Sequence, residues 1–426
     1  MSYLRPILGT LGLVCLGALV GSLLLEGALQ LRARFVTPST APEVTAPEVI
    51  PDERLGHRLN PDLPGHDSRG WRNSSALTSA DIVVLGDSQT SGVNLSAKIA
   101  LEAAWPQRVG ALLHRTVYQM AAGGYGPGHY VLLLEEALAL KPKVIISTYS
   151  VGNDIYDSYE FVYRVGDLRR STLDPVLDSL FALTDLKSRQ GITRAETADP
   201  KLLRGKHLDC GGPFEVLHDV LASPPLAPSW SEQLQSAKAY LLRNSALIRV
   251  LRARLFTATQ VETKAEDYWP KLCPRYRDRE LTTLFSPGYR IIRLDDTDPR
   301  IVEGRRITFL AFQYIAERCR RAQCSLYVAM IPTKETAFRA RTFASLRDPT
   351  YMVDLCNAEG RARSDALVFF AREHIATIDT LPALETLIAS GVNPYREDAD
   401  GHPVQAGYDA IARAVAERLR RDGMGR

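Results

Sequence analysis

The run Ile82-Val83-Val84-Leu85, entered from Asp81 and closed by Gly86-Asp87-Ser88, limits the fold more than any other stretch of this chain. An apolar run rich in β-branched residues predicts a buried strand, and Gly-Asp-Ser predicts a sharp backbone turn at its carboxyl end. In open α/β sheets the carboxyl ends of the strands line the crevice where ligands bind, so Ser88 is delivered to a place suited to chemistry. The same triplet also suits a turn that only caps the next helix. The rest of the chain has to separate the two readings.

Downstream, strand and helix patterns alternate. Residues 99–114 carry Leu101, Ala104, Val109, Leu112 and Leu113 at helical spacing, and residues 116–120 read as a second strand. Gly123-Gly124-Tyr125-Gly126 is too glycine-rich for helix and suits close backbone approach to a ligand. Residues 130–140 predict a return helix, and residues 143–149 a third strand running into Gly152-Asn153-Asp154. This is the pattern of a doubly wound parallel sheet. From about residue 156 to 300 it breaks into helical pieces and Pro-rich connections, read as an insertion that would set specificity. A helix over 307–320, a strand over 324–331, a last strand over 374–379 and a closing helix over 404–421 complete the pattern. Pro332-Thr333-Lys334-Glu335 closes the fourth strand, with Lys334 read as a solvated turn lysine or, in the other reading, a contact to an anionic substrate.

Residues 6–25 carry no charge, roughly 30 Å of helix, enough for a bilayer core. We expect an uncleaved anchor over residues 1–36, with a cleaved signal peptide as the rival. A Pro/Thr-rich tether follows over 37–51, then a domain over 52–426. His57 and His66 in the lead-in read as surface residues. A net charge of +3 without a basic stripe interleaved with aromatics argues against nucleic-acid binding, and 45% hydrophobic residues suffice for a core. Of six cysteines, Cys15 falls in the apolar N-terminus, and a Cys210–Cys273 pair would staple the insertion. No spacing suits zinc.

A serine hydroxyl needs a base within hydrogen-bond reach. His402, in Asp400-Gly401-His402-Pro403 before the closing helix, is placed for that role. The blocks Gly86-Asp87-Ser88-Gln89-Thr90, Gly124, Gly152-Asn153-Asp154 and Asp400-Gly401-His402-Pro403, in that order, resemble those of the SGNH (GDSL-type) hydrolase superfamily. The Ile331-Pro332-Thr333-Lys334 turn is similar to one in its membrane-anchored branch. The resemblance implies a flavodoxin-like three-layer α/β sandwich on a central parallel sheet, with Ser88 as nucleophile and His402 as base. The oxyanion hole would comprise the Ser88 and Gly124 amides and the Asn153 side chain, with Asp87 and Asp154 supporting the turns. The usual acid position, three before the histidine, is Ala399 here. Asp400 is preferred, because its Asp-x-His spacing resembles the alginate O-acetyltransferase branch, and Asp398 is the fallback.

The implied activity is a cofactor-free and metal-free esterase that forms an acyl-serine. It would remove short acyl groups, such as acetyl, from an acylated carbohydrate or glycolipid. An O-acyltransferase modifying an extracytoplasmic polysaccharide and a non-catalytic glycan-binding protein are the alternatives. The resemblance also implies a globular domain outside the cytoplasm, on the periplasmic or extracellular face, and a membrane acyltransferase as partner.

Overall fold

The computed structural model describes residues 47–92, 99–165, 176, 180, 273–346 and 349–424. The expected anchor, most of the tether and the middle of the insertion lie outside the described residues. Among the described residues no helix is long and apolar enough to cross a membrane.

The lead-in contributes an antiparallel hairpin, β1 (Val49–Asp52) with β2 (Gly56–Leu59). The main sheet begins with β3 (Ile82–Gly86), β4 (Val117–Ala121) and β5 (Val144–Ser150). The far end of the insertion forms a second hairpin, β6 (Arg275–Arg277) with β7 (Thr282–Leu284). β8 (Ser325–Ile331) and β9 (Ala376–Asp379) then return to the main sheet. Its order is β4-β3-β5-β8-β9, with every pair parallel. This is the expected flavodoxin-like order, and the connections reverse direction between β3 and β5, where a crevice opens at the carboxyl ends. Ser88 and Asn153 follow these two strands directly.

Successive residues in a strand face opposite sides, and here both sides are covered. Val83, Leu85, Ile145 and Met330 pack against the helices Pro127–Ala139, Pro299–Arg321 and Thr350–Arg372. Ile82, Val84, Ile146 and Ala329 pack against Trp105–Leu113, Lys334–Thr342, Leu381–Ala389 and Gln405–Arg421. At Gly304 a Cβ would lie 2.0 Å from the Ile155 carbonyl oxygen, so the Pro299–Arg321 and Asp154–Tyr159 helices meet backbone to backbone.

Several elements differ from the sequence expectation. The helix expected over 99–114 is a short helical turn, Leu101–Ala103, then a helix from Trp105, because Pro106 has no N–H and fits only a first turn. The helix expected from 307 starts at Pro299, capped by the Asp298 carboxylate on the Arg300 N–H. The helices Thr350–Arg372 and Leu381–Ala389 were not expected. In the first, Glu359 and Arg363 lie on the buried face and blur the apolar stripe. Cys273 is disulfide-bonded, and its expected partner Cys210 lies outside the described residues.

Candidate active site

The turn after β3 is shaped by Gly86, where a Cβ would stand 2.2 Å from Thr90 Oγ1. Ser88 opens a one-turn helix, Ser88–Ser91, whose N-cap Asp87 accepts the Gln89 N–H at 2.9 Å. Gly92, at φ +69°, ends it. Arg72, from the lead-in, braces this turn from behind. Its Nη1 donates to the Ser91 carbonyl at 2.6 Å, and its Nη2 donates to the Ile99 carbonyl.

On the opposite side stands the loop before the closing helix. His402 Nε2 lies 2.8 Å from Ser88 Oγ, and Nδ1 lies 2.5 Å from Asp400 Oδ1. Asp400 Oδ1 also accepts the His402 backbone N–H at 3.0 Å, which orients both groups. The Asp400 side chain is only 2% exposed. Asp398, the fallback acid, does not face the imidazole. Its carboxylate accepts the Asp400 N–H at 3.0 Å and Arg396 Nε at 2.8 Å, bracing the loop.

Lys334 corrects the expectation of a solvated turn lysine. It is fully buried beneath that same loop, where Nζ donates to the carbonyls of Arg396 at 2.6 Å and Asp398 at 2.7 Å, and lies 3.5 Å from that of Asp400. Burial pushes its pKa down to about 8, against the opposing pull of Glu335, Asp398 and Asp400. The partners are backbone oxygens more than sixty residues away, so its place just beyond a strand end and in the Ile331-Pro332-Thr333-Lys334 turn could not reveal them.

The glycine loop faces Ser88. A Cβ at Gly123 would lie 3.9 Å from Ser88 Cβ, and Gly124 has φ +76°, a conformation that favours glycine. His57, expected at the surface, instead places Nε2 2.8 Å from the Gly123 carbonyl oxygen. That oxygen shares a peptide unit with the Gly124 N–H, which in a trans peptide points the opposite way. His66 is also built in, with Nδ1 2.7 Å from the Asn60 carbonyl. Asn153 lines a small cleft together with Gln89, Gly152, Arg290 and Gly401.

Asp154, next to Asn153, is fully buried, and its Oδ2 accepts the Ser150 N–H at 3.0 Å. Burial, reinforced by Asp87 and Asp157, pushes its carboxyl well above the ordinary range. Burial raises Asp87 too, against the pull of Ser150, His402 and the turn amides. Both carboxyls face backbone turns, not the imidazole.

A five-stranded parallel sheet with a Ser-His-Asp relay at its switch point defines the class of site. No family model matches the sequence. No curated protein matches it either. Among solved structures, the chain is similar to a GDSL-like lipase from Bacteroides thetaiotaomicron, at 7% identity and TM-score 0.31, over 80% of this chain and 88% of that one. It is also similar to a catalytic mutant of an acetylxylan esterase from Geobacillus stearothermophilus, at 12% identity and TM-score 0.34, over 82% and 96%. At such scores the likeness carries no argument, and the functional reading rests on the geometry of the site.

Proposed function

We propose that the chain is a serine esterase of SGNH type that forms an acyl-serine intermediate. Its substrate is a carbohydrate or lipid-linked glycan carrying a short acyl group such as acetyl. The observation that carries this reading is the unbroken relay from Asp400 through His402 to Ser88 at the mouth of the sheet. As Ser88 Oγ attacks the acyl carbonyl carbon, its proton passes to His402 Nε2. Asp400 accepts the hydrogen bond from Nδ1–H and stabilises the imidazolium. The Ser88 and Gly124 amides with the Asn153 side chain hold the developing oxyanion. His402 then protonates the leaving sugar oxygen. In the second half, water gives a proton to His402 as it attacks the acyl carbon, and His402 returns that proton to Ser88 Oγ as the acyl–Oγ bond breaks, releasing the carboxylic acid and free Ser88.

A membrane tether, a position outside the cytoplasm and a membrane acyltransferase partner belong to the same proposal on sequence grounds. Intact-mass analysis after exposure to a fluorophosphonate tests it. Wild-type protein should gain one adduct, and Ser88→Ala and His402→Ala none. Folded wild-type protein that takes up no label would refute the reading. With an acylated sugar, release of free acid supports the esterase, whereas transfer to an added acceptor supports the O-acyltransferase.

A further inference from the structure

Arg290 takes no part in the relay but stands against it. It lies in the short Pro287–Ile291 helix that follows the β6–β7 hairpin. Its side chain is 9% exposed, with Nε 3.1 Å from Glu335 Oε2, and Glu335 Oε1 is already engaged by the Ser286 N–H at 2.9 Å. The guanidinium rests on Gly401, the residue between Asp400 and His402, where a Cβ would lie 2.0 Å from Nη2 and 3.0 Å from Cζ. At Gly152, just before Asn153, a Cβ would lie 3.6 Å from Nη1. Glycine at 401 thus leaves room for this side chain, whereas at Gly152 a Cβ would meet Thr333 first, at 2.5 Å. Among the described residues, neither Nη1 nor Nη2 donates a hydrogen bond, and Arg290 lines the same cleft as Asn153 and Gly401.

Removing a guanidinium from water is expensive unless its donors are used. Here Glu335 supplies a countercharge beside Nε without a hydrogen bond to it, and the outer edge of the fork is left unfilled. A planar fork of N–H donors matches a carboxylate or phosphate in bidentate fashion, which a lysine cannot reproduce. We propose that Arg290 forms an anion subsite beside Gly401 and Asn153, next to the relay, that takes a carboxylate or phosphate group of the acylated substrate. The substrate is then an acidic glycan or glycolipid and not a neutral one. This assignment rests on the esterase reading of Ser88, but anion binding can be measured without it.

Inorganic phosphate and glucuronate, each against a chloride control of equal ionic strength, serve as probes. Calorimetry measures their binding to the full chain, and each is also tested for slowing fluorophosphonate labelling of Ser88. The proteins are wild type, Arg290→Lys and the double variant Arg290→Gln/Glu335→Gln, which removes the ion pair as a unit and leaves the buried Lys334 supported by Asp398 and Asp400. Saturable binding of at least one anion to wild type is expected, with slower labelling. Affinity should fall about tenfold or more in the double variant and less in Arg290→Lys. Glucuronate as the better ligand identifies a carboxylate, and phosphate a phosphoryl group. The subsite is overturned if neither anion binds beyond the chloride control, or if the variants bind as wild type does. If the double variant fails to fold, Arg290→Lys decides. Absence of labelling in a protein that binds the anion would sink the esterase reading and leave the subsite standing.

Discussion

In Lys334→Met the side chain keeps nearly its length and volume and loses its ammonium. The two short bonds at stake go to the carbonyls of Arg396 and Asp398, at 2.6 and 2.7 Å. Hydrogen bonds to charged groups contribute about 1.5–3 kcal/mol each, so about 3–6 kcal/mol is lost. Burial lowers the Lys334 pKa from 10.5 to about 8, so keeping it charged costs the folded protein about 3 kcal/mol below pH 8. The methionine removes that cost, which leaves a net destabilisation of about 0–3 kcal/mol. Because the folded pKa lies below the unfolded one, the unfolded chain binds more protons between about pH 8 and 10.5. The contribution of Lys334 to stability therefore rises across that window in wild type, and the variant lacks the rise. Activity should suffer more than stability, since the freed carbonyls belong to the loop that aims Asp400 and His402. A misplacement of about 1 Å costs on the order of a hundredfold in rate. The expected result is a kcat on p-nitrophenyl acetate at least about tenfold lower, with KM changed less than kcat. Urea unfolding at neutral and alkaline pH runs alongside. Wild-type kcat, or a stability that climbs with pH as the wild type's does, would refute the clamp.

Asp400→Asn keeps the loop geometry but disrupts the orientation of the imidazole, and kcat should fall on the order of a thousandfold or more. Asp398→Asn, which only loosens the brace to Arg396 and the Asp400 N–H, should cost less than about tenfold, and the reverse ranking would exchange their roles. Asn153→Ala should lower kcat about a hundredfold or more with labelling of Ser88 retained, and near-wild-type turnover would remove Asn153 from the oxyanion hole. Gly304→Ala drives a Cβ against the Ile155 carbonyl oxygen and should destabilise by about 1–3 kcal/mol in thermal or urea unfolding, outweighing alanine's helix propensity.

The strands of the main sheet, their alternation with helices and the elbow at Ser88 were legible because their causes are local. β-Branched runs make strands, and Gly86 and Gly124 meet backbone demands that other residues meet poorly. The order of Ser88, Asn153 and His402 along the chain was equally plain. The relay acid was narrowed to two aspartates and no further, since either spacing suits a loop and only the fold of residues 396–402 turns Asp400 onto the imidazole. That loop is held by Lys334, the turn at Ser91 by Arg72, the Gly123 carbonyl by His57, and the cleft is lined by Arg290. None of the four follows an apolar period, and only Lys334 lies in a motif, the Ile331-Pro332-Thr333-Lys334 turn, which does not reveal its partners. The partners of the first three are backbone carbonyls that reach them only when distant segments pack. Strand and helix patterns therefore indicated the sheet and its crevice, and the resemblance of the motif blocks the candidate nucleophile and base. Tertiary structure alone decided which polar side chains aim them, because a buried charge is stabilised by whatever oxygens the fold brings within about 3 Å, wherever those lie in the chain.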